Sequence, residues 1–150
     1  MRIVIQRVLK ASVSINQNIK AEIDQGMLLL LGIEDADDFD DIEWLCTKIG
    51  KLRIFDDENG VMNLSINQID GQILLVSQFT LHASTRKGAR PSYLRSANPD
   101  KAIPLYEDFI KQLNKQIHTK VETGVFGAEM LVTLINDGPV TLLLDSKNRE

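Results

Sequence analysis

The apolar stretch at residues 131–145 constrains the fold more than any other part of the chain. Its sequence, LVTLINDGPVTLLLD, is a β-strand pattern interrupted by Asn136-Asp137-Gly138-Pro139. Proline donates no hydrogen bond to a sheet, so Gly-Pro between two such runs normally ends a strand. In one interpretation NDGP is the four-residue loop of a hairpin with arms LVTLI and VTLLLD. In the other, the Gly138-Pro139 bond is cis and fixes two neighbouring carbonyls at a site.

The first third of the chain has the pattern of β-strands. Apolar residues alternate with polar ones at residues 2–8 and 11–15, a polar NQN at 16–18 suits a turn, and 19–23 continue the pattern. The segment GMLLLLGI has the length of a buried strand. We therefore expect a mostly β start.

Two helices are predicted. The first opens in the acidic run 35–41 and carries apolar residues at helical spacing, and its basic end complements the helix dipole. The second has helical periodicity from Ala102 to Leu113. Asn98-Pro99 suits its start, although Pro104 would remove an interior hydrogen bond and move the start later.

Turns at DDENG and at Asp70-Gly71 separate LRIF, VMNLSI and QILLVSQFTL, which indicates antiparallel hairpins. The sequence shows neither a repeat nor a linker. We therefore predict one domain, residues 1–150, of the α+β class, with mainly antiparallel sheet and two packed helices.

Composition narrows the classes of function. Of 150 residues, 43% are hydrophobic and 25% charged, which is ordinary globular composition. No signal-peptide pattern opens the sequence, and its longest apolar run, Met27 to Ile33, is far shorter than the roughly 20 residues of a membrane helix. We expect a soluble, cytoplasmic protein that does not act on a membrane.

Cysteine and histidine are scarce. Cys46 is the single cysteine, so it has no internal disulfide partner, and His82 and His118 are too few for a zinc cluster. Cys46 falls on the apolar face of the first predicted helix, where a core position is expected rather than a catalytic one. No metal site is predicted.

Residues 77–81, SQFTL, end a buried strand with side chains that donate and accept hydrogen bonds. Thr80 can act there as a nucleophile or as a hydrogen-bond donor, and His82 would share its face of an extended strand. The alternative is a strand end whose hydroxyl groups satisfy their own backbone.

The following loop, HASTRKGARPSYLR, contains no acidic residue and carries Arg86, Lys87, Arg90 and Arg95. In a chain of formal net charge −4 this is a local basic patch, and Tyr93 offers an aromatic surface to a base or ribose. RNA binding and a merely solvated loop both remain open.

The segment TGVFGAEM has Gly124 and Gly127 on either side of Phe126. Glycines at these positions allow the close approach of a backbone or a ligand. A β-bulge explains them equally well.

The order and spacing of five segments closely resemble the D-aminoacyl-tRNA deacylase (D-tyrosyl-tRNA deacylase) family. The resemblance covers Met1 to about Ser146. The combination of SQFTL with NDGPVT is specific, far more so than either motif alone. The segments are MRIVIQRVLKASVSI, SQFTL, RKGARPSY, TGVFGAEM and NDGPVT.

The resemblance implies a homodimer with a barrel-like core that hydrolyses the ester between a D-amino acid and the terminal adenosine of tRNA, and that also removes mischarged glycine. It implies that a cis Gly138-Pro139 reaches into the partner's site and rejects L-residues sterically, with Arg7 holding its orientation. The pocket for the aminoacyl end would be lined by Ser77, Gln78, Phe79 and Thr80, and Phe126 would contact the adenine.

The resemblance also implies catalysis without a cofactor and without an essential protein nucleophile. The ribose 2'-hydroxyl would help to activate water, and the backbone N–H of Phe79 or Thr80 would stabilise the oxyanion. Where many members have Ala-Asp-Thr after SQFTL, this chain has His82-Ala83-Ser84-Thr85. SQFTL itself argues against the related group that is specific for L-alanine.

Two other functions compete with this interpretation. One is a noncatalytic, RNA-binding dimer that uses the basic loop. The other is an esterase of small D-aminoacyl compounds. The sequence leaves open the preferred tRNA and D-residue, the extent of glycine editing, the role of His82 and whether a metal assists.

Overall fold

The fold is organised around two long antiparallel strands in the computed structural model, which describes residues 1–149. Strand β1 (Arg2–Ile15) pairs with the C-terminal strand β8 (Leu131–Asp145), from Arg2 opposite Asp145 to Ser14 opposite Leu131. Of the two interpretations of NDGP, the hairpin loop is therefore wrong. The Gly138-Pro139 bond is cis, and the strand continues past it because the register with β1 shifts on both sides of Val8.

The remaining elements follow in chain order. They are β2 (Asn18–Ile23), β3 (Gly26–Gly32), α1 (Phe39–Lys51), β4 (Arg53–Asp56), β5 (Met62–Ser65), β6 (Gln72–Ser77), a 3₁₀ helix (Phe79–His82), α2 (Pro99–Gln116) and β7 (Val121–Thr123).

One six-stranded mixed sheet is nearly closed into a barrel. Its strand order is β2-β1-β3-β6-β7. The sixth strand, β8, is outside this order and pairs with β1. The α+β class with mainly antiparallel pairing is confirmed, and β4 and β5 form the expected hairpin. The turn at Asp70-Gly71 does not make a second hairpin, because β6 pairs in parallel with β3 and β7.

Both faces of β3 and β6 are buried, which explains their uninterrupted apolar sequences. Leu29, Leu31 and Leu75 face a core that includes both helices, whereas Leu28 and Leu74 belong to a second cluster with residues of β1 and β2. This double burial fixes the carboxyl ends of β3 and β6 beside each other.

The two helices begin where local chemistry favours them. Asp38 caps α1, since its carboxylate accepts from the N–H groups of Asp40 and Asp41 while Asp41 returns a bond to the Asp38 N–H. Helix α2 begins at Pro99, and Pro104 lies inside it, so the later start that Pro104 suggested is wrong.

Cys46 lies in the core, as expected. Its side chain is fully buried on α1, and burial raises the pKa of the thiol to about 12. Among residues 1–149, no helix is both long enough and apolar enough to span a membrane.

Candidate active site

The sheet ends at a pocket where parallel strands β3 and β6 stop being paired. After Ser77 the N–H of Gln78 donates to the Leu31 carbonyl at 2.7 Å, and the chain then turns into the 3₁₀ helix. The buried strand thus ends within SQFTL, at Ser77, and the extended conformation assumed for Thr80 and His82 is wrong. Consequently His82 does not share a strand face with Thr80, and its side chain is fully buried.

A cavity of about 530 Å³ opens beside this turn. Ser77, Gln78 and Phe79 line it together with Phe126, so the fold brings a distant residue beside three consecutive predicted site residues. Apolar residues of β3, β6 and β8 line much of the rest: Leu31, Val76 and Val132. The cavity has the size of a small-molecule site with a few polar groups at one side.

The sequence alone did not indicate some residues of the pocket. Tyr93 and Ser96, from the end of the basic loop, and Pro99 and Ala102, from the start of α2, also line it. Tyr93 was noted only for its aromatic ring, and nothing in the pattern singled out Ser96. The Ser96 hydroxyl donates to the Phe79 carbonyl at 2.9 Å, which ties the loop to the 3₁₀ helix.

Two aromatic contacts shape the pocket. The ring of Phe79 is 56% exposed and meets Tyr93 edge-on, with ring centroids 5.0 Å apart. Phe126 packs against the buried ring of Tyr106 at 5.5 Å. Phe79 and Phe126 are thus held in place by neighbouring rings while parts of their surfaces remain available to a ligand.

The backbone of the 3₁₀ helix offers free hydrogen-bond donors. Within the described part of the chain, neither the Phe79 N–H nor the Thr80 N–H makes a hydrogen bond, since these are the first donors of the turn. The Thr80 side chain is not part of the pocket lining, and its hydroxyl accepts a hydrogen bond from the Gln78 amide.

Arg7 and the Gly138-Pro139 element form a separate cluster. The Arg7 side chain is 7% exposed; it donates to the Ile54 carbonyl at 2.7 Å and pairs with Asp56 at 3.1 Å and with the Asp137 carboxylate at 3.0 Å. It also donates to the Asp137 carbonyl at 3.3 Å. Gly138 and Pro139 are exposed and do not line the pocket of their own chain.

The basic loop is held at its base by a bridge between Ser84 and Ser92. Arg86, Lys87 and Arg90 lie at its exposed tip, and none of them forms an ion pair within residues 1–149. Arg95, at the end of the loop, pairs instead with Glu34 at 3.0 Å. Three positive charges therefore remain available on this loop.

Known proteins resemble this chain over its whole length. Residues 4–145 match the family model described as D-Tyr-tRNA(Tyr) deacylase. Proteins named D-aminoacyl-tRNA deacylase from Flavobacterium johnsoniae and from Bacteroides fragilis strain YCH46 are each 59% identical over 150 residues, which is 100% of both chains.

Solved structures agree with this match. One described as c-Myc DNA Unwinding Element Binding Protein is 37% identical, has a TM-score of 0.92 and covers 97% of this chain and 98% of its own. Another, described as a probable eukaryotic D-amino acid tRNA deacylase, is 15% identical with a TM-score of 0.80, covers 95% of this chain and 97% of its own, and shows the shared fold alone.

The fold, the pocket and these matches define an enzyme of the hydrolase class. Within that class, the chain belongs to the D-aminoacyl-tRNA deacylase family.

Proposed function

We propose that this enzyme hydrolyses the ester of D-aminoacyl-tRNA and releases the free D-amino acid and tRNA. The observation that carries the proposal is the pocket at the end of β6, which is lined by Ser77, Gln78, Phe79 and Phe126 and adjoins a turn with two peptide N–H groups that have no acceptor within residues 1–149. The names of relatives that are 59% identical support the same substrate. Such a substrate places the reaction in the cytoplasm, and no cofactor enters it.

The free N–H groups of Phe79 and Thr80 supply the oxyanion site. Attack of water on the ester carbonyl places negative charge on the carbonyl oxygen, and donors that are already oriented stabilise this charge without reorganising. Ser77 and Gln78 orient the aminoacyl group, and Phe126 receives the terminal adenine. The ribose 2'-hydroxyl of the tRNA assists the attacking water.

The Gly138-Pro139 element acts on the partner's pocket. Both residues are exposed and lie outside their own pocket, which supports a role across a subunit interface. A rigid backbone against the substrate Cα rejects an L-residue because its Cβ points towards the wall. Glycine has no Cβ, so the same wall admits it, and glycine mischarged on tRNA is a further substrate.

The outer face of β8 provides the surface for the homodimer. Leu131, Ile135 and Leu143 on β8 are 71%, 56% and 64% exposed, and Leu9 on β1 is 50% exposed. A run of large apolar side chains along one strand is typical of an interaction surface. This surface flanks Gly138-Pro139 on both sides, so its burial would bring that element against the partner.

Sedimentation equilibrium checks the dimer. We expect a mass of two chains at micromolar concentration, because the apolar residues of β8 would otherwise remain in water. A monomer that still discriminates between D- and L-aminoacyl-tRNA would contradict the cross-subunit filter while leaving the hydrolytic activity in place.

The basic loop binds the tRNA backbone. Arg86, Lys87 and Arg90 are exposed and unpaired within the described residues, and each phosphate that they neutralise releases counterions. The loop also carries Tyr93 at the pocket wall, so phosphates bound at its tip would lie next to the aminoacyl end in the pocket.

The stereospecific deacylation assay tests the proposed function. Purified protein should release D-tyrosine from D-Tyr-tRNA at least about 100-fold faster than L-tyrosine from L-Tyr-tRNA, a difference of about 2.7 kcal/mol in barrier height. The steric wall gives this preference because it acts on Cα geometry and not on the side chain. Cleavage of both at similar rates would contradict the filter.

Replacement of Thr80 by alanine tests the assignment of the chemistry to backbone and substrate. The Thr80→Ala variant should lose less than about tenfold in kcat, the value of one supporting hydrogen bond. A tRNA ending in 2'-deoxyadenosine should lose about 10²-fold or more, because assistance to the attacking water is lost. Complete inactivity of the folded variant would indicate a threonine nucleophile instead.

A noncatalytic tRNA-binding dimer is the second candidate. The three cations of the basic loop that have no ion-pair partner within residues 1–149 favour it, and the 37% identical structure is described as c-Myc DNA Unwinding Element Binding Protein. Binding of tRNA without loss of the ester would support this candidate. Hydrolysis of free D-amino acid esters as fast as of D-Tyr-tRNA would indicate a small-molecule esterase.

A further inference from the structure

His82 is buried beside the pocket and has no assigned role. It is the last residue of the 3₁₀ helix that carries Phe79 and Thr80, and its side chain is 0% exposed. Its ring packs against Gly32 at the end of β3, where an added Cβ would lie 3.1 Å from the ring Cδ2. Among residues 1–149, no group makes a hydrogen bond of normal geometry to either ring nitrogen.

A single carboxylate connects His82 to the wall of the pocket. The Glu34 Oε2 atom lies 3.9 Å from His82 Nδ1 and 3.0 Å from the Arg95 guanidinium, and the Glu34 side chain is 12% exposed. Arg95 stands between Tyr93 and Ser96, the two residues through which the loop lines the pocket. Glu34 can therefore pair fully with Arg95 or move towards His82.

The backbone around this carboxylate joins the same three segments. The Ala97 N–H donates to the Ile33 carbonyl at 3.0 Å, and the Ser96 hydroxyl donates to the Phe79 carbonyl. From β1, Arg2 donates to the Leu81 carbonyl at 3.2 Å. A short chain of contacts therefore connects the 3₁₀ helix that ends at His82 with the pocket wall.

Burial favours the neutral ring of His82. Burial is the largest effect and lowers the pKa of His82 below its usual 6.5, and Arg2 and the N-terminal ammonium group act in the same direction. The Gly32 carbonyl and the Glu34 carboxylate oppose them and raise the pKa. His82 is therefore uncharged at neutral pH and takes up a proton only in acid.

We propose that His82 is a positioning residue that makes the packing of the pocket wall depend on pH. Protonated His82 attracts the Glu34 carboxylate away from Arg95, so that the Tyr93–Ser96 wall loosens and substrate binding weakens in acid. Only the last step rests on the proposed function, because the transfer of Glu34 between its two partners needs no substrate.

Hydrogen–deuterium exchange of residues 83–96 tests the link without substrate. From about pH 7.5 to about pH 5, exchange corrected for intrinsic rates should rise about two- to fivefold, the range for a partly exposed ion pair. His82→Gln should remove the rise. His118→Gln, which changes the exposed histidine, should retain it.

Glu34→Gln provides a second variant that leaves the buried ring in place. It should exchange rapidly at both pH values, because Arg95 has lost its partner throughout. An exchange rate that stays constant with pH in the wild type, or a His82 ring that NMR shows to be neutral down to about pH 5, would overturn the proposal.

Steady-state kinetics then test whether protonation of His82 affects substrate binding by the enzyme. In acid the KM for D-Tyr-tRNA should rise about two- to fivefold more in the wild type than in His82→Gln, with little change in kcat. If no deacylation occurs at all, the proposed function fails while the exchange result still stands. Deacylation whose pH profile is identical in both proteins would refute the role of His82 alone.

Discussion

Replacement of Arg7 by alanine is expected to raise the rate of L-Tyr-tRNA cleavage by roughly 10- to 100-fold while D-Tyr-tRNA cleavage changes much less. A displacement of about 1 Å in a positioning element can change rates by about 10²-fold. Arg7 is the residue best placed to prevent such a displacement of Gly138-Pro139. The measurement is the ratio of kcat/KM for the two aminoacyl-tRNAs.

The geometry of Arg7 explains the size of this effect. Its guanidinium connects β1 with β4 and β8. On β4 it contacts the Ile54 carbonyl and the Asp56 carboxylate, and on β8 it contacts both the carbonyl and the carboxylate of Asp137. An added Cβ on Gly138 would lie 3.1 Å from its terminal nitrogen, so the arginine also packs directly against the glycine. Alanine would leave residue 138 without this support.

The Arg7→Ala variant should also be less stable than the wild type. The Ile54 carbonyl would lose its charged donor in a buried position, which costs about 1–3 kcal/mol. The two carboxylates add little, since Asp56 and Asp137 are 49% and 31% exposed. Denaturant unfolding of the variant separates this loss from the change in stereoselectivity.

Two further variants sharpen the test of Arg7. Arg7→Lys keeps the charge but not the planar fork, so it should contact only part of this set and lose an intermediate amount of selectivity. Lys10→Ala, also on β1, removes an exposed charge paired with Glu22 and should leave selectivity unchanged. Unaltered D/L selectivity in folded Arg7→Ala would contradict the positioning role.

Much of the fold follows from local sequence. The acidic start, apolar periodicity and basic end of the first predicted helix indicated a helix that the structure confirms as α1, and the apolar run after Gly26 predicted a buried strand. Pairing partners were harder to predict. The parallel contact of β3 with β6 depends on packing of both faces, which a linear pattern does not encode.

Long strands explain the error at NDGP. The loop chemistry of a hairpin is satisfied equally well by a bulge when the neighbouring strand is 14 residues long and can shift register. Residues 136–139 remain within β8 because β1 continues beside them. Their own sequence contains no information about this partner.

Some residues of the candidate site could likewise be predicted from the sequence, and others could not. Ser77, Gln78, Phe79 and Phe126 were predicted from a family resemblance, and the pocket brings them together. The burial of His82 was missed, because a 3₁₀ turn of four residues leaves no periodic pattern. The pair of Glu34 with Arg95 joins residues 61 positions apart, which no local pattern can indicate.

Replacement of Gly26 by alanine is expected to destabilise the protein by about 3 kcal/mol or more, the upper range for steric overpacking. Gly26 pairs with Gln72 at the start of β3 and β6, and an added Cβ would lie 1.8 Å from the Gln72 carbonyl oxygen. The obstacle is backbone, so no rotamer change relieves it. The strands must separate at this end.

Thermal unfolding measures the Gly26 effect and distinguishes it from a general cost of losing a glycine. For a chain of this length, 3 kcal/mol corresponds to a fall in Tm of roughly 6–12 °C. Gly60→Ala is the matched control, because Gly60 has a φ of +75° but no atom within 4 Å of an added Cβ. Its cost should stay near 1–2 kcal/mol, the value of the left-handed conformation alone. Equal losses in the two variants would show that the close packing of β3 on β6 is not what makes Gly26 necessary.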